Sequence, residues 1–178
     1  MPSATADRST LQSVVLVGFM AAGKSRVGRV VAERLGLPFV DTDKAIEEQY
    51  GSPLAEIFRE RGETEFRAAE QQLIARLLAG EAQVIALGGG ALVDPVTRAA
   101  LSRRARTVWL DTPFEIILAR LERSHDRPLA SNRSAAELKA LWQERRPHYA
   151  EAQVRIDTSD ADPKRIADRI AKALDEDA

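Results

Sequence analysis

The feature that most constrains this chain is a glycine-bounded loop between a strand-like segment and a helix-like one. Residues 18–25 read GFMAAGKS and follow the apolar run VVLV at residues 14–17. Beyond the loop, apolar side chains recur at helical spacing and a glycine stands where the helix should end: Val27, Val30, Val31, Leu35 and Gly36. Such a loop directs backbone N–H groups inward at a helix N-terminus, which favours the binding of a polyphosphate.

Two side chains of the loop extend this interpretation. Lys24 is placed to reach the outer phosphates, and the hydroxyl of Ser25 is placed to bind Mg²⁺. The alternative is an ordinary strand-to-helix turn in which the glycines serve only the backbone geometry. Because a strand precedes the loop and a helix follows it, we favour the phosphate-binding interpretation.

Length and composition exclude several classes of protein. A chain of 178 residues has the size of one domain. It contains no cysteine, which excludes disulfides and thiolate metal sites, and its formal net charge of -1 gives no general attraction for nucleic acid or anionic membranes. We expect a disordered leader at residues 1–12 and one domain at 13–178, in the cytoplasm and without nucleic-acid or membrane partners.

Short apolar runs alternate with amphipathic segments along the chain. The predicted strands are residues 14–17, 37–40, 84–87, 107–110 and 154–156. This alternation predicts an α/β fold with a five-stranded parallel sheet and helices on both faces. Helix starts are predicted at Ser52-Pro53, Asp94-Pro95, Asp162-Pro163 and the capping boxes 112–115 and 134–137, and the polar residues 122–133 are predicted to form a mobile lid.

Candidate ligand-binding residues follow the second and third predicted strands, whose carboxyl ends share one edge with the phosphate loop. Asp41 and Asp43 lie two residues apart, so an extended segment would point both carboxylates to the same side. We assign Asp41 to the metal and Asp43 to the hydroxyl of the phosphoryl acceptor, as its general base. The alternative is that both aspartates are turn and N-cap residues.

Three consecutive glycines, Gly88, Gly89 and Gly90, end the third predicted strand. They have no Cβ, so a ligand could approach the backbone closely, although an ordinary flexible turn would use the same residues.

Arginines indicate what the acceptor carries. Arg145 lies on the apolar stripe of its predicted helix, where a charge needs a carboxylate or bound anion as partner, whereas Arg146 is predicted to be solvated. Arg67 either binds an anion or pairs with Glu63 one turn away. Arg127, in the polar loop, is either a lid cation that neutralises the transferred phosphoryl group or a plain solvated side chain.

These pieces together resemble the shikimate kinase family over nearly the whole chain, from about residue 14 to residue 174. The motifs that carry the resemblance are GFMAAGKS at 18–25, DTD at 41–43, EFR at 65–67 with Glu70, GGG at 88–90, RPL at 127–129, and Arg145 with Tyr149. The resemblance implies a P-loop kinase of nucleoside-monophosphate-kinase-like fold. It also implies transfer of the ATP γ-phosphoryl group to the 3-hydroxyl of shikimate, with Mg²⁺, in aromatic amino-acid biosynthesis.

The resemblance also assigns site residues. It implies catalytic roles for Asp43, Lys24 and Arg127, and Mg²⁺ binding by Ser25 and Asp41. It implies that shikimate contacts Asp43, Arg67, Gly88, Gly89, Gly90 and Arg145, and that ATP contacts Ala21, Ala22, Gly23, Lys24, Ser25, Arg26, Arg120, Arg127 and Pro163. Three residues depart from the family pattern: Ala21 replaces a usual glycine, Arg26 a usual threonine, and Ala161 a residue that is often polar.

Two other functions were compared with this one. A kinase for another small hydroxy acid, such as gluconate, would keep the phosphate loop but not the paired aspartates with Arg67 and Arg145. A nucleotide-binding module without turnover would be expected to lose Asp43 or Lys24, and both are present. We therefore expect an enzyme that acts on ATP and shikimate as a monomer.

Overall fold

The computed structural model describes residues 12–123, 133–159 and 162–176 of the chain. Five strands form one sheet in the order β2-β3-β1-β4-β5, and every neighbouring pair is parallel. In the register, Leu16 of the central strand lies opposite Ala86 on one side and Val108 on the other. The predicted α/β fold with a five-stranded parallel sheet is confirmed.

The strands lie where the apolar runs predicted them, with ends that differ by one or two residues. They are β1 (Ser13–Val17), β2 (Phe39–Asp41), β3 (Val84–Ala86), β4 (Ala105–Asp111) and β5 (Val154–Asp157). The strand-sized runs are nearly all apolar because helices cover both faces of the sheet, so neither set of alternating side chains faces water.

Seven α-helices flank the strands in the described part of the chain. They are α1 (Lys24–Leu35), α2 (Thr42–Tyr50), α3 (Leu54–Ala79), α4 (Pro95–Arg104), α5 (Phe114–Arg123), α6 (Ala135–Tyr149) and α7 (Pro163–Glu176). Helix α3 consists of two helical segments that meet at Gly62, whose φ of 81° and ψ of 167° are not helical. Among the described residues, no helix is both long enough and apolar enough to cross a membrane.

The core has one apolar layer on each face of the sheet and a smaller cluster between α2 and α3. On one face, Val15 and Val17 of β1 belong to a buried cluster that includes residues of α3, α4, α5 and α6. On the opposite face, Val14 and Leu16 belong to a cluster with residues of α1 and α7. Helices therefore hold the sheet from both faces. The carboxyl ends of its strands form a rigid base for the loops that follow them.

The predicted helix caps are partly confirmed. Ser134 and Glu137 form a reciprocal capping box, and Asp94 and Asp162 accept hydrogen bonds from the first turns of α4 and α7. The box predicted at residues 112–115 is wrong, because the Thr112 hydroxyl contacts the Thr158 hydroxyl at 2.6 Å rather than capping α5. The Ser52-Pro53 prediction is displaced by one residue, since the N-cap of α3 is Pro53 itself.

Candidate active site

The phosphate loop joins β1 to α1 and contains several backbone conformations of positive φ. Gly18 and Gly23 have φ of 147° and 94°, and Gly23 occupies the N-cap of α1. Ala21, which stands where a glycine was expected, also adopts a positive φ of 60°. For a residue with a Cβ, this left-handed conformation costs about 1–2 kcal/mol. With alanine at this position, the loop keeps its turn, and the backbone of Ala21 is strained.

Two cationic side chains hold the loop from within. The Lys24 ammonium donates to the carbonyls of Gly18 at 2.8 Å and Phe19 at 2.9 Å. The Arg120 guanidinium, on α5, donates to the carbonyl of Ala21 at 2.9 Å. Burial lowers the pKa of Arg120, and the neighbouring charge of Arg26 lowers it further. Positive charge is therefore concentrated around the loop where a polyphosphate would lie.

The remaining residues assigned to the nucleotide are distributed as follows. Arg26 lies in the first turn of α1 with an exposed side chain, and Pro163 is the first residue of α7. Buried Thr158, shortly before α7, is tied to Thr112. Arg127, Ala161, most of the leader at 1–12 and most of the lid at 122–133 lie outside the described residues.

Asp41 connects the phosphate loop to the second helix. One oxygen of its carboxylate, Oδ1, accepts the backbone N–H groups of Asp43 at 3.1 Å and Lys44 at 3.3 Å, so Asp41 is the N-cap of α2. The other oxygen, Oδ2, accepts the hydroxyl of Ser25. The Ser25 hydroxyl and the Asp41 carboxylate therefore form one oxygen pair at the start of α1.

The same geometry corrects one expectation. Asp43 was expected to extend β2 and to share a face with Asp41, but β2 ends at Asp41 and Asp43 lies in the first turn of α2. The N-cap that Asp41 provides bends the chain into the helix one residue after the strand. The N-cap alternative is thus correct for Asp41, whose second oxygen nevertheless remains on Ser25.

The oxygen pair suits Mg²⁺ in its donor type, because this ion prefers oxygen ligands and usually keeps several waters and phosphate oxygens. No group of three or more His, Cys, Asp or Glu side chains able to hold a metal occurs among the described residues. A magnesium ion at this place would therefore depend on the nucleotide for part of its coordination.

Two carboxylates converge at the end of β3. A Cβ added to Gly88 would lie 2.6 Å from Oδ1 of Asp43 and 2.8 Å from Oε1 of Glu70. The hydroxyl of buried Thr42 accepts the Gly88 N–H at 3.0 Å and so fixes α2 against this glycine. Gly88 is therefore required by the close approach of the two carboxylates, which meet above its Cα.

Glu70 is the most deeply buried charged group of this cluster. The residue is 3% exposed, and its Oε1 atom is buried without a hydrogen-bond partner in the described structure. Burial raises the pKa of Glu70 above its ordinary value, and the charge of Asp43 raises it further, while Arg67 acts in the opposite direction. The sequence analysis assigned no role to Glu70, yet this residue lies between Asp43 and Arg67.

Arg67 on α3 faces the same cluster. Its Nη1 atom lies 2.6 Å from Oε2 of Glu70, and its Nε atom lies 3.6 Å from Oε1 of exposed Glu63. A Cβ on Gly90 would lie 2.5 Å from Nη2 of Arg67, so the absence of a side chain there makes room for the guanidinium. The pair with Glu63 that the sequence suggested as an alternative exists, but the contact with buried Glu70 is shorter.

Arg145 on α6 points inward, as its position on the apolar stripe predicted. Its guanidinium carbon lies 5.9 Å from the centre of the Phe19 ring, and its Nε atom is buried without a hydrogen-bond partner in the described structure. Both Arg145 and Arg67 lower the pKa of Tyr149, and Arg145 acts likewise on Glu70, so the two guanidinium groups converge on one place. An unpaired buried guanidinium nitrogen is suited to a bound anion.

Arg146, the next residue, was expected to be solvated, and this expectation is wrong. Its guanidinium forms a two-point ion pair with Asp111, at 2.6 and 3.1 Å, and lies 4.5 Å from the centre of the Trp142 ring. The prediction failed because Asp111 is 35 positions away on β4, and only the packing of α6 on the sheet brings it close.

Glu70, Tyr149 and Thr42 are the residues of the site to which the sequence reasoning gave no role. Glu70 follows Arg67 by three residues, and Tyr149 follows Arg145 by four, so helical spacing was the signal that could have identified both as neighbours. Thr42, which joins α2 to β3, offered no comparable local signal.

Comparison with known proteins places these features in a family. The family model described as "Shikimate kinase" matches residues 20–175. Shikimate kinase of Persephonella marina is 38% identical and covers 90% of this chain and 97% of its own length. Shikimate kinase of Symbiobacterium thermophilum is 44% identical and covers 92% of this chain and 94% of its own length.

Solved structures agree with the sequence comparison. A shikimate kinase from Acinetobacter baumannii, in complex with shikimate, has a TM-score of 0.90 and 36% identity, and the match covers 94% of this chain and 95% of that one. A gluconokinase from Sinorhizobium meliloti is 19% identical, with a TM-score of 0.52 over 94% of this chain and 97% of that one. The second likeness extends to the fold alone.

Proposed function

Because the chain belongs to the shikimate kinase family, we propose that it transfers the γ-phosphoryl group of ATP to the 3-hydroxyl of shikimate. The products would be shikimate 3-phosphate and ADP, within aromatic amino-acid (chorismate) biosynthesis. The observation that carries the proposal is the convergence of two arginines, Arg67 and Arg145, beside the Asp43 carboxylate at the rim that holds the phosphate loop.

ATP is proposed to bind along the phosphate loop and the start of α1. The backbone of residues 21–26 would receive the phosphates, with Lys24 on the outer phosphates, and Arg120 and Pro163 beside the adenine. Mg²⁺ would be held by Ser25 and Asp41, whose oxygens already touch, and would supply charge neutralisation for the triphosphate. The cationic lining of the loop supports this orientation of the nucleotide.

Shikimate is proposed to lie on the side of the glycine triplet that is opposite to the phosphate loop and its ATP. Its carboxylate would be bound by Arg67 and Arg145, because an anion can satisfy the buried guanidinium nitrogen of Arg145. Its hydroxyl groups would face Asp43, with the backbone of residues 88–90 alongside. The missing Cβ atoms of Gly88 and Gly90 make room for the Asp43 carboxylate and the Arg67 guanidinium that would contact this substrate.

The transfer itself follows from these positions. The 3-hydroxyl oxygen would attack the γ-phosphorus while Asp43 receives the hydroxyl proton. The bond from the γ-phosphorus to the β–γ bridging oxygen would break, and ADP would leave with its charge opposed by Lys24. Asp43 follows β2 and Lys24 follows β1, the strands on either side of β3, so one bound pair of substrates at this sheet edge can contact both.

The test is a coupled assay of ADP release with shikimate, gluconate and other hydroxy acids as acceptors. We expect turnover with shikimate, and in Asp43→Asn we expect retained ATP binding with turnover lowered at least about a hundredfold, because the proton acceptor is lost. Asp168→Asn, which changes an exposed carboxylate of the surface pair with Arg34, is the matched control and should retain full activity. Turnover with gluconate but not shikimate would contradict the proposal.

Two coarser features of the protein are proposed alongside. We propose a monomer and a cytoplasmic location, and the absence of cysteine is compatible with a reducing compartment. Size-exclusion chromatography with light scattering tests the first, and cell fractionation the second.

A further inference from the structure

Tyr149 is a buried polar residue next to the proposed shikimate site. It is the last residue of α6 and is 2% exposed. Its hydroxyl donates to the carbonyl oxygen of Gly89, the middle residue of the glycine triplet. The contact joins residues that are 60 positions apart, and it ties the end of α6 to the loop after β3.

Gly89 in turn lies against the phosphate loop. A Cβ on Gly89 would be 3.1 Å from the backbone nitrogen of Met20 and 3.6 Å from the carbonyl oxygen of Gly18. The backbone of the triplet is thus packed directly on the first residues of the loop that holds Lys24. A donor that fixes the Gly89 carbonyl also fixes the distance between these two loops.

The hydroxyl of Tyr149 has a second neighbour in Arg145, one helical turn earlier. Burial raises the pKa of Tyr149 to about 12, while the charge of Arg145, its hydrogen bond and the charge of Arg67 act in the opposite direction. The phenol therefore keeps its proton at neutral pH and can donate to Gly89 while its oxygen faces the Arg145 guanidinium. On its other side, Arg145 faces the ring of Phe19.

Packing alone does not require a tyrosine at this position. The Tyr149 ring lies 6.3 Å from the centre of the Trp109 ring within the apolar core, and phenylalanine would fill the same space. A buried hydroxyl must be paired to avoid a desolvation penalty. Its value to the protein therefore lies in the two groups that it contacts.

We propose that Tyr149 is a positioning residue for the phosphoryl acceptor, whose hydroxyl holds the Arg145 guanidinium and the Gly89 backbone in fixed relative positions. It needs no contact with the substrate, because it acts through the groups that line the site. The inference rests on the proposed function and deepens it, since it names what sets the geometry of the acceptor side.

The test compares Tyr149→Phe with Tyr50→Phe, which removes the hydroxyl of the other tyrosine of the chain, at the end of α2 beside Arg61. We expect Tyr149→Phe to raise the KM for shikimate about tenfold, as for the loss of one buried hydrogen bond, and to change the KM for ATP less than about twofold. Tyr50→Phe should change neither constant. The dissociation constant of shikimate, measured by calorimetry, should rise with its KM.

A double-mutant cycle with Arg145→Ala separates a positioning role from a structural one. If Tyr149 acts in part through Arg145, the Phe substitution should raise the shikimate KM less in the Arg145→Ala background than in the natural chain. An unchanged shikimate KM in Tyr149→Phe would overturn the inference, and so would equal losses for both substrates accompanied by a lower Tm. If the natural chain does not turn over shikimate at all, the proposed function fails instead, and the two failures are distinct.

Discussion

At the scale of single residues, the site contains a carboxylate whose burial disfavours its charged form. Glu70 is buried next to Asp43, and Arg67, with a smaller contribution from Arg145, offsets the two negative charges. Burying an ionised carboxylate is costly unless its oxygens are paired, and Oε1 of Glu70 has no partner in the described structure. Such a group is retained at a binding site because it orients a neighbour, here the Arg67 guanidinium, 2.6 Å away.

The raised pKa of Glu70 predicts the pH dependence of stability. The folded state binds the Glu70 proton more tightly than the unfolded chain does, in which the pKa of this carboxyl is 4.5. Glu70 therefore contributes most to stability below that pH, and the contribution is lost as the pH rises through the folded pKa. We expect the unfolding free energy of Glu70→Gln, relative to the natural chain, to increase from pH about 4.5 to pH about 7.5 in urea titrations.

A control of opposite sign is available for this experiment. The capping contacts with Ser134 lower the pKa of Glu137, so its contribution to stability is present above the unfolded pKa and is lost as the pH falls. Glu137→Gln should therefore lose stability relative to the natural chain as the pH rises to about 5, and the difference should stay nearly constant above that pH. If Glu70→Gln followed the same trend as Glu137→Gln, the burial of Glu70 would not govern its titration.

At the scale of elements, α6 carries two adjacent arginines with different surroundings. Arg145 points to the proposed acceptor site, whereas Arg146 pairs with Asp111 and lies between the rings of Trp109 and Trp142. Asp111 is 7% exposed and also accepts from Arg155 of β5. This cluster fixes the rotation of α6 on the sheet, and the rotation determines where Arg145 points.

The Arg146 contacts predict a loss of stability on truncation. We expect Arg146→Ala to lower the free energy of unfolding by about 2 kcal/mol, because removal of one partner leaves a mostly buried carboxylate with weaker compensation. Arg155→Ala should cost less, since the Arg155 side chain is 64% exposed. Urea unfolding measures both, and a larger loss for Arg155→Ala would contradict this explanation.

At the scale of the whole molecule, the proposed binding residues come from segments that are widely separated along the described chain. The loops after β1, β2 and β3 supply residues from one edge of the sheet, and α3 and α6 close over that edge with Arg67 and Arg145. A ligand bound there contacts segments that are distant in sequence, and it binds the folded state alone. Binding should therefore stabilise the whole domain.

This arrangement predicts separate stabilisation by the two substrates. Shikimate and ADP should each raise Tm in thermal unfolding. At a ligand concentration of 100 times Kd, binding adds about 2.7 kcal/mol to the free energy of unfolding. Arg145→Ala should abolish the shift with shikimate and retain the shift with ADP, because only the anion-binding side of the site is removed. Loss of both shifts in this variant would show that Arg145 supports the fold rather than the acceptor.

The sequence determined those features that depend on neighbouring residues. The strands, most helix ends, the phosphate loop and the inward side of Arg145 all follow from local hydrophobic spacing and capping chemistry. The tertiary structure alone decided which distant groups meet: Arg146 with Asp111, Tyr149 with Gly89, and Asp43 with Glu70 above Gly88. Such contacts depend on how the helices pack against the sheet, and the hydrophobic spacing within a single segment does not predict that packing.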